Sequence, residues 1–196
     1  MKRSTIALAA ALLLSRTAVM LAVSLEESHS ATEKLDRISL GEMSPGEQIT
    51  LTQSEINSFL QYDYAGLIPA GIRDLHVELE SDTGIVSGRA DFSQLGEAQD
   101  TATRLLLMML RGEHGFVARV RYVSSGGQAR ADVDSFLLDD RELKGPILDW
   151  IVKNYVATDL EGFALGQPTS LGNNIDQIRL ERGQAIVVAS ESRAQL

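Results

Sequence analysis

The constraint that bears hardest on the fold is a pair of alternating segments around one glycine turn, residues 116–138. Phe116, Ala118, Val120 and Tyr122 alternate with Val117, Arg119, Arg121 and Val123, and Ser124-Ser125-Gly126-Gly127 separates them from a second alternating run, residues 128–138. Alternation with a period of two requires a strand with one buried face, and tandem glycines supply the positive φ angles of a tight turn. Centring the turn on Gly126-Gly127 sets Arg121 opposite Asp132 and Arg119 opposite Asp134 on the outer face. The same register sets Tyr122 opposite Ala131, Val120 opposite Val133 and Phe116 opposite Leu137 on the inner face. One register satisfies both faces, so an antiparallel hairpin is dictated here.

The pattern recurs twice. Leu75, Val77 and Leu79 alternate with Asp74, His76, Glu78 and Glu80, and Val86, Gly88, Ala90 and Phe92 form the apolar side of the next run. A two-residue loop at Thr83-Gly84 would place Glu78 opposite Arg89 and His76 opposite Asp91. Near the end, Ile178 and Leu180 alternate with Gln177, Arg179 and Glu181, Arg182-Gly183 turns, and residues 185–189 return.

Helices punctuate these hairpins. Thr52-Gln53-Ser54-Glu55 is a capping box with Leu51 and Ile56 in the staple positions, and it starts a helix whose apolar stripe is Ile56, Phe59 and Leu60. Gly66 and Pro69 end it. Residues 95–111 predict a second helix with Leu105, Leu106 and Met109 on one face, and the apolar run 105–110 wraps its far end in hydrophobic surface. A third opens at Gly145-Pro146 with proline in the first turn; Leu148, Ile151 and Tyr155 lie in its stripe and Trp150 lies off it. Residues 159–174, including Phe163, read as a crossing loop or short edge strand. The fold class that follows is α+β: a strongly curved antiparallel sheet of consecutive hairpins packed on two or three helices.

Residues 1–24 read as a signal peptide or an N-terminal anchor. Lys2 and Arg3 precede an apolar run, residues 6–14; Ser15-Arg16-Thr17 interrupts it, residues 18–23 resume it, and Ala22-Val23-Ser24 presents the small residues of a cleavage site. Uncleaved, the segment is long enough to span a bilayer. Residues 25–49 read as a polar lead-in or linker, 50–190 as one domain and 191–196 as a tail. Of the 18 basic residues, Lys2, Arg3 and Arg16 precede residue 25 and all 27 acidic residues follow it, so the exported body carries a formal charge of −12. That charge is repelled by nucleic acid and by anionic lipid head groups, so membrane contact must be apolar or partner-mediated. No cysteine is present, which excludes disulfides and a thiolate nucleophile.

Chemistry is sparse. There is no G-x-S-x-G elbow and no Gly-rich phosphate loop with a following Lys-Ser or Lys-Thr; His29, His76 and His114 are scattered without H-x-x-x-H spacing. Asp139-Asp140, placed before Arg141-Glu142, reads as a helix start with carboxylates on the dipole rather than a cation site. No cofactor, metal site or catalytic residue is expected.

An export segment, the helix start over residues 51–60, consecutive hairpins, a later helix and a closing hairpin after a Pro-containing loop together resemble the LmeA-like family of bacterial envelope proteins, similar in fold to the tubular lipid-binding superfamily. The resemblance covers residues 50–189. It implies an extracytoplasmic protein of the periplasm or cell envelope that holds phospholipid acyl chains in an apolar groove without catalysing a reaction. The groove residues expected on this reading are Phe59, Leu105, Leu106, Met108 and Met109, with Trp150, Ile151, Tyr155 and Phe163 from the later segments. The apolar run 105–110 departs from the family pattern. A second reading is an envelope scaffold or assembly factor that grips another protein through Trp150 and residues 159–171.

Overall fold

The computed structural model describes residues 23–94, 108, 110, 112–145, 148, 151 and 166–191. They form an α+β fold built from two antiparallel sheets. Helix α1 (Leu25–Ser39) precedes β1 (Gln48–Thr52), which runs directly into α2 (Gln53–Tyr62). The hairpins β2 (Ile72–Glu80) with β3 (Thr83–Asp91) and β4 (Glu113–Ser125) with β5 (Gln128–Leu138) follow. The short strands β6 (Arg141–Glu142) and β7 (Thr169–Ser170) and the closing hairpin β8 (Ile175–Glu181) and β9 (Gln184–Ala189) complete the order. The larger sheet runs β2-β3-β4-β5-β6 with β7 paired to β5; the smaller runs β1-β9-β8, so the closing hairpin pairs with β1 rather than extending the larger sheet.

Of the residues read as a polar lead-in, 25–39 are instead the first helix and 48–49 open β1. Ser24 caps the helix, its Oγ accepting the Glu27 N–H at 3.2 Å, and Glu26 and Glu27 in the first turn and Arg37 in the last suit the helix dipole. It buries a narrow apolar stripe of Ala31, Leu35 and Ile38, and the face it turns to α2 is held by hydroxyl–carboxylate bonds. Ser28 and Ala31 are 0% exposed. Ser28 Oγ donates to Asp63 at 2.5 Å, Thr32 donates to the same carboxylate at 2.8 Å, and Ser30 Oγ donates to Glu55 at 2.6 Å. Glu27 accepts from Ser54 and, at 3.2 Å, from Ser58.

The same device alters α2. Its capping box forms as expected, with Thr52 Oγ1 accepting from the Glu55 N–H at 3.1 Å and Glu55 Oε2 from the Thr52 N–H at 2.8 Å. Its fully buried positions are nevertheless polar: Gln53, Ser54, Glu55, Asn57 and Ser58, while Ile56 and Phe59 are half-buried. Gln53 and Asn57 turn toward the edge of the larger sheet and satisfy β2 with their amides, a cover for an otherwise open strand edge.

The hairpin registers divide by turn chemistry. β8–β9 closes on Arg182-Gly183 as expected, Glu181 facing Gln184. β4–β5 closes on Gly126-Gly127, both at positive φ, and pairs Tyr122 with Ala131, Arg121 with Asp132 and Val120 with Val133. A bulge then shifts the far half by one residue, so Arg119 faces Ser135, not Asp134, and Phe116 faces Leu138, not Leu137. The expected turn at Thr83-Gly84 is wrong by two residues. The chain turns at Ser81-Asp82 with Asp82 at φ 55°, Gly84 sits inside the strand opposite Leu79, and His76 faces Ser87. Asp139 and Asp140, read as a helix start, are a two-residue hairpin loop at φ 46° and 62° linking Leu138 to Arg141.

The smaller sheet lies across the hairpin tips of the larger. Gly127 donates to Asp176 at 2.7 Å, Asp82 to Leu180 at 3.1 Å and Gly183 to Leu79 at 2.9 Å, all through backbone N–H groups. Ser124 Oγ bridges the edge of β8, donating to the Ile178 carbonyl and accepting from its N–H, each at 2.7 Å. Two apolar clusters result. One joins Ala31, Ile38, Met43, Ile49, Leu51, Ile175, Val187 and Ala189 under α1; the other joins Ala90, Phe92, Phe116, Phe136, Leu138 and Ile151 on the inner face of the larger sheet.

Phe116 and Phe136 stack in this second cluster with centroids 5.9 Å apart and planes 5° from parallel. Gly88 makes room for them: a Cβ there would lie 3.0 Å from the Phe116 ring and 3.0 Å from the Arg73 carbonyl oxygen. Gly88→Val is therefore expected to destabilise the fold by about 1–3 kcal/mol through overpacking, measured as a lowered urea midpoint. Gly84→Val, where a Cβ meets nothing within 4 Å, should be close to neutral in the same assay.

Among the described residues no helix is long and apolar enough to cross a membrane.

Candidate functional site

The inner face of the larger sheet is apolar along its length but unequally covered. At one end Ala90, Phe92, Phe116, Phe136 and Leu138 are sealed. Leu75, Val86, Ala118 and Val133 pack on this cluster yet keep part of their surface accessible, as Ile72, Leu110, Leu143 and Leu148 do around its other margins. The register places three of them close together: Val86 pairs with Ala118, and Val133 pairs with Val120, two residues along β4 from Ala118. The edge of β8, carried by Ser124 and Gly127, bounds this strip at the tips. Tyr122 sits at that boundary, and burial pushes its phenol up against the opposing effect of a hydrogen bond with Ser124.

The opposite face is a lattice of ion pairs. Arg119 meets Glu80 at 2.8 Å, Arg121 meets Asp134, Arg130 meets Asp132 at 2.9 Å, and Glu113 lies between Arg73 and Arg89, which face each other across β2 and β3. A groove of about 520 Å³ opens beside the β4–β5 tip, lined by Arg121, Val123, Ser124, Ser125, Gln128, Ala129, Arg130, Asp132 and Pro168. Its two guanidinium groups are already matched by Asp134 and Asp132, so it offers an anion little uncompensated charge.

The structure separates residues expected to share one groove. Ile151 is buried in the inner-face cluster, whereas Phe59 belongs to the other cluster, beside Leu51 and Ile56 and 5.8 Å from the Tyr64 ring. Met108 is helical and 51% exposed, and its neighbour Leu110 packs on the inner-face cluster. Leu105, Leu106, Met109, Trp150, Tyr155 and Phe163 lie outside the described residues. Of the helix expected from Gly145-Pro146, Leu148 and Ile151 are described, and both are helical and packed on the inner face. Periodicity alone could not have ranked Val86, Ala118 and Val133 above the other inward residues, because which part of a face is left open depends on what crosses it.

One titratable pair was not legible. His114 lies in β4 opposite Ala90, with its ring edge toward Phe92 at 5.8 Å. Its Nδ1 is 2.6 Å from Asp139 Oδ2, and Asp139 Oδ1 accepts the Gly115 N–H at 2.9 Å. The His114 ring and the Gly115 amide hold the Asp139 carboxyl below its ordinary range. Nε2 is buried without a hydrogen-bond partner among the described residues, and no serine or second acid is placed on it. The pair fixes the ring and joins the β5–β6 turn to β4. Among the described residues no group of three metal-ligating side chains converges.

The chain matches no protein-family model, no curated protein and no solved structure in comparison.

Proposed function

We propose that the protein is a non-enzymatic, extracytoplasmic binder of an apolar ligand, with acyl chains of a phospholipid lying against the half-open strip of the larger sheet and the sheet curved around them. The observation that carries this reading is the strip itself: Leu75, Val86, Ala118 and Val133 are neutral, apolar and incompletely covered between a sealed cluster and the crossing edge of β8. Such a site needs no motif. Burying acyl chain contributes about 0.8 kcal/mol per methylene, so about ten methylenes supply on the order of 8 kcal/mol before ordering costs. The N-terminal segment and the resemblance to envelope lipid binders support the location, and the acidic body requires that contact with lipid be made through the chains rather than anionic head groups.

Native mass spectrometry of protein purified from the envelope is expected to show a phospholipid adduct. Val133→Asp should weaken uptake of a fluorescent fatty-acid probe about tenfold or more, which corresponds to about 1.4 kcal/mol. Absence of copurifying lipid together with no probe binding by the intact protein would sink the proposal, and capture of one stoichiometric protein by crosslinking would favour an assembly role instead.

A further inference from the structure

We infer that the chain is not cut at Ala22-Val23-Ser24, and that its apolar N-terminal segment is retained as a membrane anchor from which α1 emerges. Cleavage there would leave Leu25 as the first residue. The fold, however, uses Ser24 in three ways: its Oγ accepts the Glu27 N–H at 3.2 Å, its carbonyl accepts the Ser28 N–H at 3.1 Å, and its own N–H donates to Ser58 Oγ at 3.1 Å. Ser58 is fully buried in α2, so the last contact ties the start of α1 to its neighbour. A cut after Ser24 removes all three bonds and places an ammonium at the positive end of the helix dipole, beside N–H groups that have lost their acceptor.

The sequence before this point fits retention. Residues 18–23 run apolar up to the scissile position and lengthen the hydrophobic stretch available to a span. Between Ile6 and Val23, eight Leu, Ile and Val side chains oppose the single Arg16, and Lys2 and Arg3 mark the cytoplasmic side. Apolar side chains are also exposed where the chain would leave the bilayer. Leu25, the first residue of α1, is 59% exposed, and the Ser28–Asp63 bond brings the end of α2 alongside, where Tyr62 is 42% and Leu67 of the following loop 66% exposed. A tyrosine and two leucines suit the apolar margin of a bilayer.

The experiment is to express the full chain in a bacterial host, separate membranes from soluble extract, and determine the intact mass and N-terminal peptide. The expected result is a chain retaining residues 6–16, confined to membranes and resistant to high-salt and alkaline washes. A mature N-terminus at any residue from 15 to 25, or recovery in the soluble extract, overturns the inference. Neither outcome depends on whether lipid occupies the inner face, so this result and that of the ligand test stand apart.

Discussion

Asn57→Ala is expected to lower stability by about 1–3 kcal/mol, because the N–H and the carbonyl of the half-buried β2 residue Val77 both lose their partner and water recovers part of a loss that would reach about 1–3 kcal/mol for each group if fully buried. Asn57 is 3% exposed. Its Oδ1 accepts the Val77 N–H at 2.7 Å, and its Nδ2 donates to the Val77 carbonyl and to the Gln53 carbonyl, each at 2.8 Å. The side chain thus does for Val77 what another strand would, while Gln53 Oε1 does the same for the Leu79 N–H at 2.8 Å. Asn57→Asp should be at least as damaging, since a carboxylate facing the Val77 carbonyl replaces a donor with an acceptor. Urea unfolding measures both, and hydrogen exchange at the Val77 amide should accelerate selectively. A change within about 0.5 kcal/mol, the ordinary range of surface substitutions, would show that the edge does not need this cover.

That contact also marks the limit of what the sequence discloses. Hairpins that close on glycines at positive φ were legible, because Gly126-Gly127 and Arg182-Gly183 fix register locally. The first hairpin was not. Asp82 adopts the left-handed conformation that glycine favours, and the bonds that hold it there come from distant parts of the chain: its N–H donates to Leu180 and its carbonyl accepts from Tyr122. The one-residue shift beyond Val120 arises from a bulge, which alternation cannot signal. Helix α1 was missed for a different reason. Apolar periodicity detects helices with broad hydrophobic stripes, whereas that of α1 is confined to Ala31, Leu35 and Ile38 and its face toward α2 carries serines and acids that read as surface.

The candidate site was legible only as a face. Alternation identified Val86, Ala118 and Val133 as inward, yet nothing local shows that β8 crosses at Ser124 and Asp82 and leaves those residues half-open. The placing of Phe59 in the shared groove failed because its helix faces α1 and β1 rather than the inner sheet face. The His114–Asp139 pair joins residues 25 positions apart through the Asp139-Asp140 turn, whose αL geometry the acidic dipeptide permits without requiring.

Glu55→Ala is expected to cost about 1–3 kcal/mol, because it removes the capping-box acceptor and leaves Ser30 and the partly exposed Lys34 without their carboxylate, and to do so in a pH-dependent manner. The Glu55 residue is 7% exposed; beyond its capping bond, Oε1 accepts from Ser30 at 2.6 Å and from Lys34 Nζ at 2.5 Å, and Lys34 also donates to the Thr50 carbonyl at 2.9 Å. Burial pushes this carboxyl up, but the bonds from Lys34, Ser30 and Thr52 outweigh it and leave the group below its ordinary 4.5. A folded-state value below the unfolded one means that the unfolded chain binds the proton more readily. The stabilisation is therefore complete above pH 4.5 and is lost as pH falls through the lower folded value. Glu55→Gln separates the charge from the shape. It keeps the size and an acceptor oxygen, so it should be less destabilising than alanine at neutral pH while flattening the fall in stability below pH 4.5. Urea titrations of wild type and Glu55→Gln across pH 3–7 compare the two slopes. Parallel curves would place the acid sensitivity in the exposed carboxylates, such as Asp63 and Asp139, rather than at the junction where α1, β1 and α2 share one buried charge.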